Sequence, residues 1–149
     1  MTVDVTSEIV IERPREQVAA FANDPDNAPA WYVNIKSVEW RTRPPVGLGT
    51  RCAFEAAFLG RRLAYVYEVV DYDPPRRMAM RTVDGPFPME TIYTYHAVDA
   101  TRTRVELRNR GAPTGFGRAV APFMRLAIRR ANRHDLAALK AIVERLPAD

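Results

Sequence analysis

The chain predicts an α+β fold: a seven-stranded, curved antiparallel sheet wrapped around a long C-terminal helix, with two short helices between the first two strands. Three observations predict it. Apolar residues alternate with polar ones over a series of short runs, which is the pattern of half-buried strands. Gly, Pro and Asp clusters separate those runs, so successive strands are joined by short turns and pair antiparallel. From Gly117 to Leu146 the pattern then changes to helical spacing. Ile128, Leu136, Leu139, Ile142, Val143 and Leu146 recur on one face, while Arg118, Arg125, Arg129, Arg133 and Lys140 fall mostly on another. The stretch is long enough for about eight turns. A helix of that length needs an apolar partner as long as itself, and only the preceding strands supply one.

Taken in order, Val3, Val5, Ser7, Ile9 and Ile11 alternate with Asp4, Thr6, Glu8, Val10 and Glu12 as a first strand. Pro14 suits a helix start, and Glu16 to Phe21 forms a short helix with Val18 and Phe21 facing inward. Asn23-Asp24-Pro25-Asp26-Asn27 breaks it, and a second helical turn reaches Trp31, giving a helix-loop-helix lid. Val38 and Trp40 share a face of the next strand before Pro44-Pro45 and Gly47-Leu48-Gly49 turn the chain. Cys52, Phe54, Ala56 and Phe58 alternate with polar or small neighbours, and Gly60-Arg61 turns into Leu63, Tyr65, Tyr67 and Val69. Asp73-Pro74-Pro75 ends that strand, because proline cannot donate to the ladder. Met78, Met80 and Thr82 make the next inward row, followed by Thr91, Tyr93 and Tyr95, and then by Val105, Leu107 and Asn109. Pro122 falls inside the last helix, so the helix either starts there or is kinked. Phe116, Val120, Phe123 and Ala127 are out of phase with Leu136, Leu139 and Val143, which favours a kink, the first half leaning over the mouth of the sheet.

Size and composition bound the function. The 149 residues make one domain, residues 1–149, able to bury about two-thirds of its unfolded surface. No apolar run nears the roughly 20 residues of a membrane span, and Met1-Thr2-Val3-Asp4 lacks the features of a signal peptide, so a cytoplasmic location is expected. One cysteine, Cys52, excludes a disulfide framework and a cysteine-only metal site. With His96 and His134 the only histidines, no metal is expected, and nothing implies a cofactor. The net charge of +4 is too small to argue for nucleic acid without a binding motif. Lys36 and Lys140 are the only lysines, and the arginine bias reads first as genomic base composition.

By alternation the concave face collects Trp40, Phe54, Phe58, Tyr65, Tyr67, Met78, Met80, Tyr93, Tyr95 and Asn109. Trp31 and Tyr32 join from the lid, and Met124 and Ile128 from the helix. Any one of these residues reads as packed core. As a set they combine apolar area, adaptable thioethers and hydroxyls that need partners, which is the composition of a small-molecule pocket. Ser7, Thr82, Thr91, Asn109 and Asn132 are the inward polar groups, and none is a convincing general base, so the catalytic residues are unknown. Cys52 behaves as a small hydrophobe. His96 lies on the outer parity beside the Arg and Glu residues of the strands, and His134 and Asp135 point about 100° apart on a helix, too far for a dyad.

The order of elements resembles the START-like superfamily, also called SRPBCC, and within it the polyketide cyclase/dehydrase and lipid transport branch. The resemblance covers the whole chain. It is carried by Asp24-Pro25-Asp26 to Trp31, Tyr72-Asp73-Pro74-Pro75-Arg76-Arg77, Thr91 to Val98 with Thr103-Arg104-Val105, and Leu139-Lys140-Ala141-Ile142-Val143-Glu144. It implies a helix-grip fold holding an apolar ligand (lipid, polyketide or isoprenoid-like) between sheet and helix. Three functions follow as alternatives: a carrier or binding protein, a cyclase, aromatase or dehydratase in which Tyr65 or Tyr93 polarises a carbonyl, and a regulatory interaction module. A hydrophobic small molecule is the expected partner. The arginines of the last helix read first as its solvated face; a membrane surface or an acidic protein partner is the sharper alternative, and a homodimer stays open.

Overall fold

The β-period written into Val3–Ile11 (β1) is realised as strict alternation of buried and exposed residues along most of its length. In the computed structural model the described residues are 2–116 and 118–147. Pro14 stands at the N-cap of α1 (Arg15–Ala22), and α2 (Ala28–Trp31) follows a 3-10 turn whose Asp24 side chain accepts from the Asp26 amide. Six strands then run as a meander: β2 (Ile35–Trp40), β3 (Arg51–Phe58), β4 (Arg61–Asp73), β5 (Arg77–Asp84), β6 (Met89–Asp99) and β7 (Arg102–Gly111). The sheet order is β1-β7-β6-β5-β4-β3-β2, every neighbouring pair antiparallel, so the first strand closes the edge formed by the last. Register shifts in β4 opposite β5 bend the sheet, since an unpaired extra residue kinks its strand.

Two turn details differ from the expectation. The β3–β4 hairpin is built on Leu59-Gly60, not Gly60-Arg61, with Phe58 paired to Arg61. Both turn residues have positive φ, 51° and 76°, the mirror-image geometry that matches strand twist. The last helix, α3, spans Met124–Arg145 and is preceded by a 3-10 turn, Ala121–Phe123. The predicted kink is therefore absent: Pro122 sits before the first turn of the helix, where its missing N–H breaks no helical hydrogen bond. The expected start at Gly117 lies outside the described residues. In α1, Val18, Ala19 and Ala22 are buried while Phe21 is half-buried at the margin of the core.

Leu136, Leu139 and Val143 of α3 are buried against Ile11, Val18, Val105 and Leu107. This end of the helix is tied down. The Arg13 guanidinium donates to the carbonyls of Glu144 and Leu146, the Glu12 amide donates to Glu144, and Lys140 donates to the Val10 carbonyl. A cation at a helix C-terminus satisfies carbonyls the helix cannot and complements its dipole. The opposite end, at Phe123 and Met124, is left to define the space under the sheet. The acidic side chains of outer parity pair with arginines across the strands, as in Arg51–Glu68 and Arg110–Glu90. No helix among the described residues is long and apolar enough to cross a membrane.

Candidate functional site: a cavity between sheet and helix

A cavity of about 170 Å³ lies between the concave face, the α1–α2 lid and the first half of α3. Alternation aims Phe54, Ala56 and Phe58 of β3, Tyr65 and Tyr67 of β4, Met78 and Met80 of β5, Tyr93 of β6 and Asn109 of β7 into it. Tyr32 enters from the residue after α2, and Met124 and Ile128 from α3, one turn apart. Aromatic side chains also form a continuous belt. Tyr65 lies 5.7 Å from both Tyr67 and Phe87, Phe87 lies 5.9 Å from Phe116, and Phe116 stands edge-on to Phe58 at 6.0 Å.

Three residues expected at the cavity stand elsewhere. Trp31 is 2% exposed and turns into the core behind Tyr32, with ring centroids 4.2 Å apart. Trp40, at the end of the edge strand, is half-buried and its indole N–H donates to Asp26 Oδ1 at 2.7 Å. Tyr95 is 1% exposed, because α1 covers the sheet at that level, and its hydroxyl donates to Asn23 Oδ1 at 2.6 Å. Alternation assigns a side chain to a face; it does not say which part of the face another element covers. Asn23→Ala would leave the Tyr95 hydroxyl buried and unpaired. Its expected cost is about 1–3 kcal/mol of unfolding free energy, read by urea denaturation.

The polar groups in the cavity form two sets. Thr91 Oγ1 donates to Asn109 Oδ1 at 2.8 Å, and Asn109 Nδ2 donates to Asn132 Oδ1 at 2.9 Å. Asn132 is 3% exposed, and its Nδ2 has no partner among the described residues. The second set is Tyr32, Tyr93 and Asp135. The two tyrosine hydroxyls are hydrogen-bonded to each other, and burial holds both phenols well above their ordinary range. Burial, only partly offset by Thr91, pushes the Tyr67 phenol up to about 12. Asp135 is 3% exposed and accepts the Val33 amide at 2.8 Å. Burial raises its carboxyl to about 7, with the Val33 hydrogen bond pulling the other way.

Asp135 is the main group that sequence reasoning missed. Its signal was legible in principle: Met124, Ile128, Asn132, Asp135 and Leu139 are spaced by threes and fours along one stripe. Phe87, between two prolines of a turn, carried no periodic signal, and Phe116 was assigned to a helical arc although it lies before α3. His96 is on the outer face, with Nε2 3.2 Å from Glu106. Cys52 is buried, and burial pushes its thiol up to about 11, so it is a poor nucleophile. Thr82 accepts the Met89 amide and stays structural. No arginine, lysine or histidine occurs among the described residues that line the cavity.

A curved seven-stranded sheet gripping a terminal helix over an apolar cavity defines the START-like, or SRPBCC, class of fold. Within it the chain belongs to the polyketide cyclase/dehydrase and lipid transport family, whose model, "Polyketide cyclase / dehydrase and lipid transport", matches residues 2–144. Solved structures repeat the architecture at low identity. The Zhui aromatase/cyclase from Streptomyces sp. R1128 is 18% identical, with a TM-score of 0.80 over 97% of this chain and 95% of that one. A START superfamily protein from Mycobacterium smegmatis is 15% identical, with a TM-score of 0.82 over 97% and 99%. The major latex-like protein 151 from Panax ginseng is 11% identical, with a TM-score of 0.75 over 98% and 99%. At these identities the likeness is one of fold. No curated protein matches the sequence.

Proposed function

We propose that the protein binds one compact, neutral, hydrophobic molecule bearing a hydrogen-bond acceptor, such as a ketone or quinone oxygen, and acts as its carrier or binding protein. The observation that carries this reading is the Asn132 amide: a buried donor without a partner among the described residues, set in a mostly apolar cavity. A buried donor left unpaired is costly, and a ligand carbonyl would remove that cost. Size supports a compact ligand. An apolar cavity of about 150 Å³ accepts a single benzene ring, so about 170 Å³ suits a small ring system better than a long acyl chain. Charge supports a neutral one. A carboxylate or phosphate would enter a site with no cation in its lining among the described residues, at a cost of several kcal/mol.

Titration calorimetry with two ligands of the same ring size tests this. The neutral ketone 2-acetylnaphthalene is expected to bind at least about 100-fold more tightly than 2-naphthoate, since the anion alone carries the unpaired charge. Equal affinity, or preference for the anion, would remove the proposal.

Asp135 favours a second reading, an enzyme of the cyclase or dehydratase type. A carboxyl whose pKa lies near 7 can give and take a proton at neutral pH, and it shares the cavity with the Tyr32–Tyr93 pair. As the acid it would protonate a ligand carbonyl; as the base it would remove the proton on the adjacent carbon. Under this reading Asp135→Asn abolishes turnover of a β-keto substrate while leaving its affinity nearly unchanged. Under the carrier reading no turnover exists to lose.

A further inference from the structure

We infer that the N-terminal end of α3, with the loops beside it, is a docking surface for an anionic lipid membrane. Four apolar side chains stand exposed together there. Phe123 is 62% exposed and Leu126 63%, at the start of the helix, while Val33 is 50% exposed after α2 and Leu59 47% at the β3–β4 turn. All four border one shallow groove, with Arg130 and His134 beside them. That groove shares Asn34, Phe58 and Ala131 with the wall of the cavity. Exposed apolar side chains scattered singly are ordinary; a contiguous group marks an interaction surface. Leu59 adds a second anomaly. Its φ of 51° belongs to a turn position that favours Asn, Asp or Gly, so the apolar tip stands there against local backbone preference.

Charge decides what covers this surface. From Met124 to Arg133, α3 carries Arg125, Arg129, Arg130 and Arg133 and no acidic residue. Among the described residues, none of these four arginines takes part in an ion pair. Leu126, Arg130 and Arg133 follow at i, i+4 and i+7 and share a helix face. The two arginines therefore lie about 6 and 10 Å behind Leu126 along the helix axis. Apolar groups that enter a bilayer interface sit about 5–10 Å deep, so with α3 meeting the bilayer by its N-terminal end, cations at that setback reach the level of the phosphates. A folded protein partner would need a fitted, shape-complementary face. A bilayer receives side chains from three separate elements without one. The inference concerns the outer surface and holds whatever the cavity contains.

Flotation of the full chain with vesicles tests it. Binding is expected to phosphatidylcholine vesicles containing phosphatidylglycerol, not to phosphatidylcholine alone, and to weaken as salt is added. Arg130→Gln with Arg133→Gln should weaken it about 25-fold, because each arginine near an anionic surface is worth about fivefold. Phe123→Ser with Leu126→Ser should abolish it. Leu59→Asn supplies the control for folding: asparagine suits the turn, so the melting temperature holds or rises while vesicle binding falls. Equal binding to both vesicle types, or variants that bind like the parent, overturns the inference. So does retention on a polyglutamate matrix without binding to either vesicle, which assigns the surface to an acidic protein instead.

Discussion

Ala56→Phe is expected to abolish uptake of 2-acetylnaphthalene, by at least about 100-fold in affinity, while the protein stays folded. Ala56 lies on β3 between Phe54 and Phe58 and borders the cavity. A phenyl ring there fills much of a space of about 170 Å³ that the present side chains leave open. If the ring fits, the cost to stability is small; if neighbours must move, overpacking costs about 1–3 kcal/mol. Ala57→Phe is the matched control, since adjacent strand residues point to opposite faces and Ala57 does not border the cavity. Calorimetry and thermal unfolding of both variants give the answer. Unchanged affinity in Ala56→Phe would mean that the ligand sits elsewhere, and the cavity would then be a packing defect and not a binding site.

The second large effect is on stability against pH. The Asp135 carboxyl is raised from 3.8 to about 7 in the folded protein, chiefly by burial. The native state therefore holds this proton more tightly than the unfolded chain does. Stability falls as pH rises from about 4 to about 7, and the contribution of this group is flat outside that window. The full difference is on the order of 4 kcal/mol. Asp4 and Asp99 act with the opposite sign. The hydrogen bonds from Arg108 and Arg102 hold their carboxyls low, so what they contribute is lost only as pH falls below the ordinary carboxylate range. Comparing the parent with Asp135→Asn isolates the buried group. The amide oxygen can still accept the Val33 N–H, and the side chain never ionises. The two proteins should match near about pH 4, and the variant should be several kcal/mol more stable near about pH 8, by urea denaturation. Parallel stability curves across that range would place Asp135 in contact with water.

The strands were legible because a period of two is unambiguous when one face is buried: Val3, Val5 and Ile11 read directly as inward, and they are. The concave face was legible for the same reason, and Phe54, Tyr67, Met78 and Tyr93 all stand where alternation puts them. What was not legible depended on how elements lie across that face. Tyr95 has the same parity as Tyr93, yet α1 covers one and leaves the other at the cavity. Trp31 and Tyr32 are neighbours, and only the packing of α2 decides that the tyrosine enters the cavity while the indole joins the core. The kink at Pro122 was an inference from phase, and the phase change instead reflects a helix that begins two residues later.

By itself the sequence determined the class of fold, the order of its elements and the apolar character of the space beneath the sheet. Those follow from local periodicity and turn chemistry, which adjacent residues settle between them. Only the tertiary structure decided that Asp135 is buried, that the Asn132 amide has no partner among the described residues, and that Phe123, Leu126, Val33 and Leu59 gather on one surface. Each of these depends on residues far apart in the chain, and desolvation and contiguity are properties of the packed molecule that no local pattern encodes.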